Sequence, residues 1–241
     1  MDLIAKNMPL FLMGLERTFQ LAIATLALSA ILSVLMGIAS IVRWRLVRWL
    51  VLAYVEFFRG VPLVVNVLFV FFAGPLLGIS LGPFQAAIIS FTLWGSANGA
   101  EIVRGGLNSV PKHQITSAMA LGLKPWQIFC YIQAPQALLP ILPPFTGLFT
   151  TLVQATALAS MVGLTEFFRA GQIIVERETM RTGDNPAYLI YGFVLLTYMV
   201  ICSALTMFTR RLELRIGQRR GKGVDRTRPQ LGSSRRIEES V

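Results

Sequence analysis

Charge is scarce in this chain. Of its 241 residues only 14% are Asp, Glu, Lys or Arg, while 54% are hydrophobic, and the mean hydropathy is +0.63. A soluble domain needs a polar surface that this composition does not supply. Lipid is therefore the expected solvent for most of the chain. Histidine occurs once, at His113, which removes His-based metal centres and catalytic triads. A lone loop histidine is ordinarily just solvated. Cys130 and Cys202 are the only cysteines, too few for a disulfide framework or a metal-binding spacing. A nucleotide-binding P-loop is missing too. The nearest match, "GQRRGKG", is one residue short and ends in Gly where Ser or Thr would hold magnesium. No cofactor is expected on this chain. Acidic residues are outnumbered 12 to 22 by basic ones, for a net charge of +10. Such a surplus invites nucleic acid, but its placement argues otherwise. Arg43, Arg45 and Arg48 form one cluster and the residues from Arg210 to Arg236 another. Both sit just beyond apolar runs, the pattern of cytoplasmic anchoring. The tail can also meet anionic lipid headgroups.

Apolar stretches recur at about the 20 residues a bilayer requires. They cover roughly Leu21 to Val42, Leu50 to Phe72, Phe84 to Val103, Leu138 to Leu164 and Ala187 to Phe208. Five transmembrane helices are expected. The first is too long for a cleaved signal peptide and lacks a small-residue cleavage site. "RWRLVR" after the first stretch is basic, the loop "AGPLLGISLGP" is uncharged, and the final tail is strongly basic. This alternation predicts an outside N-terminus and a cytoplasmic C-terminus. Gly74, Gly78 and Gly82 form a small-xxx-small series, but Pro75 and Pro83 turn it into a tight external loop. From about Gly217 the chain is charged and nearly free of large apolar groups, which predicts a disordered tail.

Polar groups at membrane depth are costly and usually face protein or a watery path. Glu56 and Arg59 are three apart, as are Glu101 and Arg104, so each pair shares a helical face and can neutralise itself. Structural ion pairs and simple end-anchors are the ordinary reading of both. Asn66, Asn98, Gln154 and Thr156 lie deeper. Each alone can be helix-packing glue. Spread over three helices, the four also suit a shared solute path.

The segment "TSAMALGLKPWQIFCYIQAPQALLPILPP" interrupts the apolar pattern. It reads as a short helix, a turn at Gly122, and a second short helix opening near Pro125, which suits a first helical turn. The prolines of "APQALLPILPP" then return the chain to the membrane in kinked geometry. Trp126 and Phe129 are large apolar knobs. Either the pair of helices is a docking lever, or the segment is an amphipathic loop on the headgroups.

The same residues resemble a known family, the membrane permease subunits of bacterial ABC importers for polar amino acids of the histidine, glutamine and glutamate type. "YVEFFRGVPLV" resembles that family's Tyr-x-Glu-x-x-Arg-Gly-Thr-Pro stretch, and "ANGAEIVRGGLNSV" the end of its third helix. "HQITSAMALGLKPWQIFCYIQAPQALLPILPP" resembles the cytoplasmic loop that docks into the ATPase. "VQATALASMVGLTEFFRAGQIIVER" resembles the fourth helix and the external segment after it. The resemblance implies ATPase docking through Ser117, Ala118, Gly122, Trp126 and Phe129. There are departures. The family's Gly-Gln-x-Glu-Ala-Ala stands here as His113 to Ala118, without the Glu. Its Lys-Asp-Thr-Ser-Leu stands here as Gln154 to Leu158, without the carboxylate. A cationic solute would lose a partner there. Neutral or acidic solutes then fit better, unless a partner subunit holds the site. The segment after the fourth helix resembles permeases for acidic amino acids.

The expectation is therefore an all-α, polytopic membrane protein of the ABC type I importer permease fold, with five transmembrane helices and a cytoplasmic coupling loop of two short helices. Residues 1–216 form the permease domain, with the loop at about 112–135, and residues 217–241 the tail. The resemblance implies no catalysis by this chain, with ATP and magnesium on separate ABC ATPase subunits. Further implied partners are a second copy or a related permease, an extracytoplasmic solute-binding protein, and lipid in a bacterial inner membrane. Nucleic acid is not among them. An opine or amino-acid derivative is an alternative solute. A lipid-acting membrane enzyme would want more clustered acids, histidines or a metal site. A passive channel would not need the loop.

Overall fold

A computed structural model describes residues 2–42 and 44–225. Among these residues every regular element is helical. A short α1 (Asp2–Lys6) precedes α2 (Met8–Ala39), α3 (Arg45–Gly60) and α4 (Leu63–Ala73). After a 3-10 turn at Pro75–Leu77 comes α5 (Pro83–Asn108), then α6 (Lys112–Ala120) and α7 (Pro125–Ile128). A π-helical turn, Phe129–Gln133, joins α7 to α8 (Ala134–Ala155), and a 3-10 segment, Thr156–Val162, continues from α8. Last come α9 (Phe167–Thr182) and α10 (Ala187–Asp225).

Three helical runs are long and apolar enough to cross a membrane: Met8–Ala39, Pro125–Val162 and Ala187–Arg211. The first starts earlier than its apolar residues suggest. Its opening turns carry Glu16, Arg17 and Gln20, which pair along an exposed face, with Gln20 Nε2 donating to Glu16 Oε1 at 2.9 Å. The second expected span is not one helix. α3 and α4 meet at 103°. Pro62 has no N–H and holds Val61 in extended backbone, φ −88° and ψ 128°, so the helix stops at Gly60. At 1.5 Å per residue α4 alone is about 16 Å long, short of a hydrocarbon core of about 30 Å.

The third expected span, α5, is the hub of the fold. Serines, glycines, Asn98 and Gln85 lower its apolarity, and protein surrounds it: Ala86, Phe91, Ser96 and Ala97 are fully buried. α2 lies against it along small residues. A Cβ added to Gly95 would lie 2.5 Å from Ser29 Oγ, and one on Gly37 2.5 Å from Val103 Cβ. Backbones this close are characteristic of helix contacts in lipid, where packing replaces the hydrophobic drive. Leu21, Val67, Phe91, Leu107, Phe145 and Leu152 belong to the main core between α2, α4, α5 and α8. A second core of Phe11, Phe167, Ile174, Ile190 and Val194 joins α2, α9 and α10.

The prolines do not break the returning segment. Pro140, Pro143 and Pro144 stand inside a continuous α8, a position neighbouring helices make tolerable in membranes. α9 is a helix where the sequence reads only as a segment of mixed charge. Gly74 to Gly82 form the expected tight loop, with Gly78 left-handed and Ile79 N donating to Gly74 O at 2.9 Å. α10 continues past Gly217 to Asp225. The rest of the expected tail, residues 226–241, lies outside the described residues, as does Arg43.

Candidate functional site

α6 ends on a left-handed glycine. Gly122 has φ +84°, its N–H reaches Met119 O at 3.0 Å, and Leu123 N–H reaches Ala118 O at 3.1 Å. This is the Schellman closure, which favours Gly because a Cβ is penalised there. Pro125 then opens α7, where its missing N–H is not needed, and Lys124 N–H is taken by Gln127 Oε1 at 2.8 Å. The second short helix is not separate, since it runs through the π turn into α8. Gln136 Nε2 donates to Gln114 Oε1 at 2.7 Å and ties α6 back to α8.

The elbow so formed has an inner and an outer side. Ala118 and Ile128 are buried, and Phe129 packs against the main core. Phe129 is thus not an outward knob: the π turn points it inward. Ser117 and Gly122 are exposed, and so are Met119, Leu121 and Trp126, at 49%, 80% and 58%. The ring of Trp126 lies 6.4 Å from that of Tyr131. Behind the elbow, a cavity of about 510 Å³ opens between it and the end of α2, lined by Ile38, Ile41, Met119, Ile128 and Phe129 among others.

The four expected path residues do not converge on one open channel within a single copy. Asn66 is buried, and its Nδ2 donates to Ser90 O at 3.0 Å, tying α4 to α5. Asn98 is half-buried and bonds back to Trp94 O of its own helix at 2.9 Å. Thr156 is fully buried, donating to Val153 O at 2.7 Å. Gln154 alone is exposed, on the open face of α8 with Gly147 and Thr151, and it reaches the Cys202 thiol.

Of the two expected ion pairs one is closed. Arg104 bridges Glu101, with Nε to Oε2 at 3.0 Å. Glu56 and Arg59 are both exposed and form no bridge to each other among the described residues. Tyr54 Oη of α3 donates to Leu93 O of α5 at 3.0 Å.

A second polar centre escapes sequence reasoning. Glu166 is completely buried at the N-cap of α9, beyond the fourth apolar stretch. Its carboxyl accepts from Phe168 N at 2.9 Å, Arg169 N at 2.7 Å and Tyr198 Oη at 3.1 Å. Phe167 N donates to Thr18 Oγ1 of α2 at 3.0 Å. In sequence, Glu166 carries only a weak signal: an acid directly after an apolar run, at a cap where Ser, Thr, Asp or Asn is preferred.

Burial pushes the Glu166 carboxyl above its ordinary value of 4.5, against the pull of the two amides and Tyr198. A raised folded-state value means that folding costs the ionised form more than the protonated one. Stability from this group is full below the unfolded value and is lost as pH rises through the folded one. The midpoint of thermal unfolding should therefore fall as pH rises from about 4.5, and Glu166→Gln should flatten that slope. An unchanged slope in the variant would refute the assignment.

Known proteins are similar to this chain. The glutamine transport system permease protein GlnP of Escherichia coli (strain K12) is 31% identical over 210 residues, 86% of this chain and 93% of that protein. The probable amino-acid ABC transporter permease protein YckA of Bacillus subtilis (strain 168) is 30% identical over 211 residues, 88% of this chain and 91% of that protein. The crystal structure of an amino acid ABC transporter with histidines superposes with a TM-score of 0.79 at 24% identity, covering 88% of this chain and 96% of that one. That likeness bears on the fold alone. Residues 29–218 match the binding-protein-dependent transport system inner membrane component family, and the chain belongs to that family.

Proposed function

We propose that this chain is the transmembrane permease subunit of an ATP-driven importer for a polar amino acid. The observation that carries the reading is the α6–Gly122–α7 elbow, an ordered projection that exposes Met119, Leu121 and Trp126. Large aromatic and aliphatic side chains held out on a rigid turn suit a protein groove. The occupant proposed is a separate ATPase subunit, two per assembly, each gripping one elbow. α7 runs without interruption through the π turn into α8. A push on Trp126 is therefore a push on the helix that carries Gln154. The chain itself hydrolyses nothing; it supplies contacts that differ between inward and outward openings.

The solute path lies between two permease chains, this one and a copy or a relative. Gln154, Thr151 and Gly147 are polar or small residues on an exposed face of a helix within a membrane-length run. Lipid disfavours such a face, and a watery path between subunits suits it. Asn98, half-buried, lines the path on the same helix as the Glu101–Arg104 pair, whereas Asn66 and Thr156 hold helices together. A binding protein delivers the solute from outside. The N-terminus lies outside, the C-terminus lies in the cytoplasm, and the bent α3–α4 pair and α5 complete five crossings of a bacterial inner membrane. The basic tail rests on anionic headgroups.

The test is ATP hydrolysis by the reconstituted assembly, with binding protein and a panel of amino acids. Hydrolysis should rise with one class of amino acid. Gln154→Leu should change uptake or solute preference severalfold with assembly intact. Hydrolysis indifferent to every solute would overturn the importer reading. Unaltered uptake in Gln154→Leu would reduce that residue to packing.

A further inference from the structure

We infer that the Glu166–Tyr198 contact is a strut that makes α9 and the Thr156–Val162 segment move as one body with α2 and α10 during transport. The inference rests on the permease reading above and assigns Glu166 and Tyr198 as positioning residues for it.

The geometry is a loop closed on one hydroxyl. The 3-10 segment begins at Thr156, turns at Gly163 with φ +87°, and reaches the cap of α9 at Glu166. Tyr198 Oη of α10 stands 3.4 Å from Thr156 Oγ1 at one end and 3.1 Å from Glu166 Oε2 at the other. A phenol has one proton to give, and the carboxylate, which only accepts, is its natural taker. Thr156 also has one proton, with two acceptors in reach: Val153 O at 2.7 Å and the Tyr198 oxygen.

α2 closes the other side. Phe167 N–H is spent on Thr18 Oγ1, whose own proton goes to Gly14 O at 3.1 Å. Gly14 allows the approach, since a Cβ there would lie 2.9 Å from Glu166 O. Thr18, Thr156 and Glu166 are all at most 1% exposed. No cation touches the carboxyl among the described residues: the side chain of Arg169 turns away to Gln172 and Glu176. The groups facing it are two amides, the start of the α9 dipole, Thr18 and the Tyr198 phenol. A buried carboxyl held only by hydrogen bonds is a poor device for stability, which apolar packing would serve better. Its use is to specify one arrangement of four elements.

The test compares Tyr198→Phe, Glu166→Gln and the double variant in the full importer, reconstituted with its ATPase and binding protein at matched permease content. Tyr198→Phe removes one hydroxyl and leaves the α9 cap intact. Each single change should lower maximal uptake about tenfold, the scale of one hydrogen bond to a charged group. The half-saturating solute concentration should stay put and ATP hydrolysis should continue, so that ATP spent per solute rises. The double variant should be no worse than the poorer single one, because both break the same link. Wild-type uptake in Tyr198→Phe would overturn the strut. So would losses that multiply in the double variant. Uptake that falls only in step with permease abundance or ATPase retention would make the contact merely structural and overturn the strut as well. If Glu166→Gln does not accumulate, Tyr198→Phe alone decides. A wild-type assembly without solute-dependent hydrolysis would overturn the permease reading itself, and this inference with it.

Discussion

Gly122→Asp is expected to leave the chain inserted and paired but without its ATPase and without uptake. Gly122 closes α6 at φ +84°, where a side chain costs roughly 1 kcal/mol. No atom lies within 4 Å of where a Cβ would be, so nothing inside the chain is displaced. The fold should survive. What changes is the tip of the elbow: a carboxylate would stand out beside the exposed Leu121 and Trp126. An apolar anchor entering a partner groove would then carry an unpaired charge with it, which is expensive to desolvate. Gly122→Ala separates the two causes, because it brings the backbone strain without the charge, and it should retain most of the ATPase. The measurement is pull-down of the ATPase together with uptake at equal membrane abundance. Full retention and normal uptake in Gly122→Asp would refute the docking role of the elbow. A loop lying on lipid predicts that outcome.

Gly99→Val should have the opposite character, losing the folded chain rather than a partner. A Cβ on Gly99 would stand 2.0 Å from Ser33 Oγ and 2.7 Å from Ser33 Cβ. The Cβ of Ser33 is fixed to the backbone of α2, so the overlap cannot be relieved by a rotamer. The two helices would have to part. The same seam carries Gly95 against Ser29 and Gly37 against Val103, so separation at one level loosens the others. Overpacking of this kind costs typically 1–3 kcal/mol, and weaker dispersion along the parted seam adds to it. Membrane abundance and the unfolding midpoint in detergent should both drop sharply. The milder Gly99→Ala should be partly rescued by Ser33→Gly, which removes the atoms it strikes. Wild-type abundance and midpoint for Gly99→Val would show that the helices are not this close.

Composition and order along the chain were enough to determine the solvent and the class. An apolar, sparsely charged chain with basic clusters after apolar runs leaves lipid as the medium and helices as the form. Gly122 and Pro125 were legible as a turn and a helix start because both are set by local backbone sterics, which neighbours in sequence decide. The expected tight loop from Gly74 to Gly82 was legible for the same reason.

Elsewhere tertiary packing decided. The break at Gly60–Pro62 splits one expected span, Leu50 to Phe72, because hydropathy along the chain does not record direction. The prolines of α8 looked like interruptions, yet the helix runs through them, packed on α5 and α10. Asn66, Thr156 and Gln154 look alike as polar residues in apolar runs. Only packing separates them, by burying two and leaving the third on an open face. Glu166 is the sharpest case. Its one-letter context is that of a charged residue leaving the membrane, while its side-chain partner Tyr198 lies far off in sequence on α10, and Thr18 of α2 holds the next residue's N–H. Burial and hydrogen bonding between distant segments are properties of the folded arrangement, so no local pattern announces them.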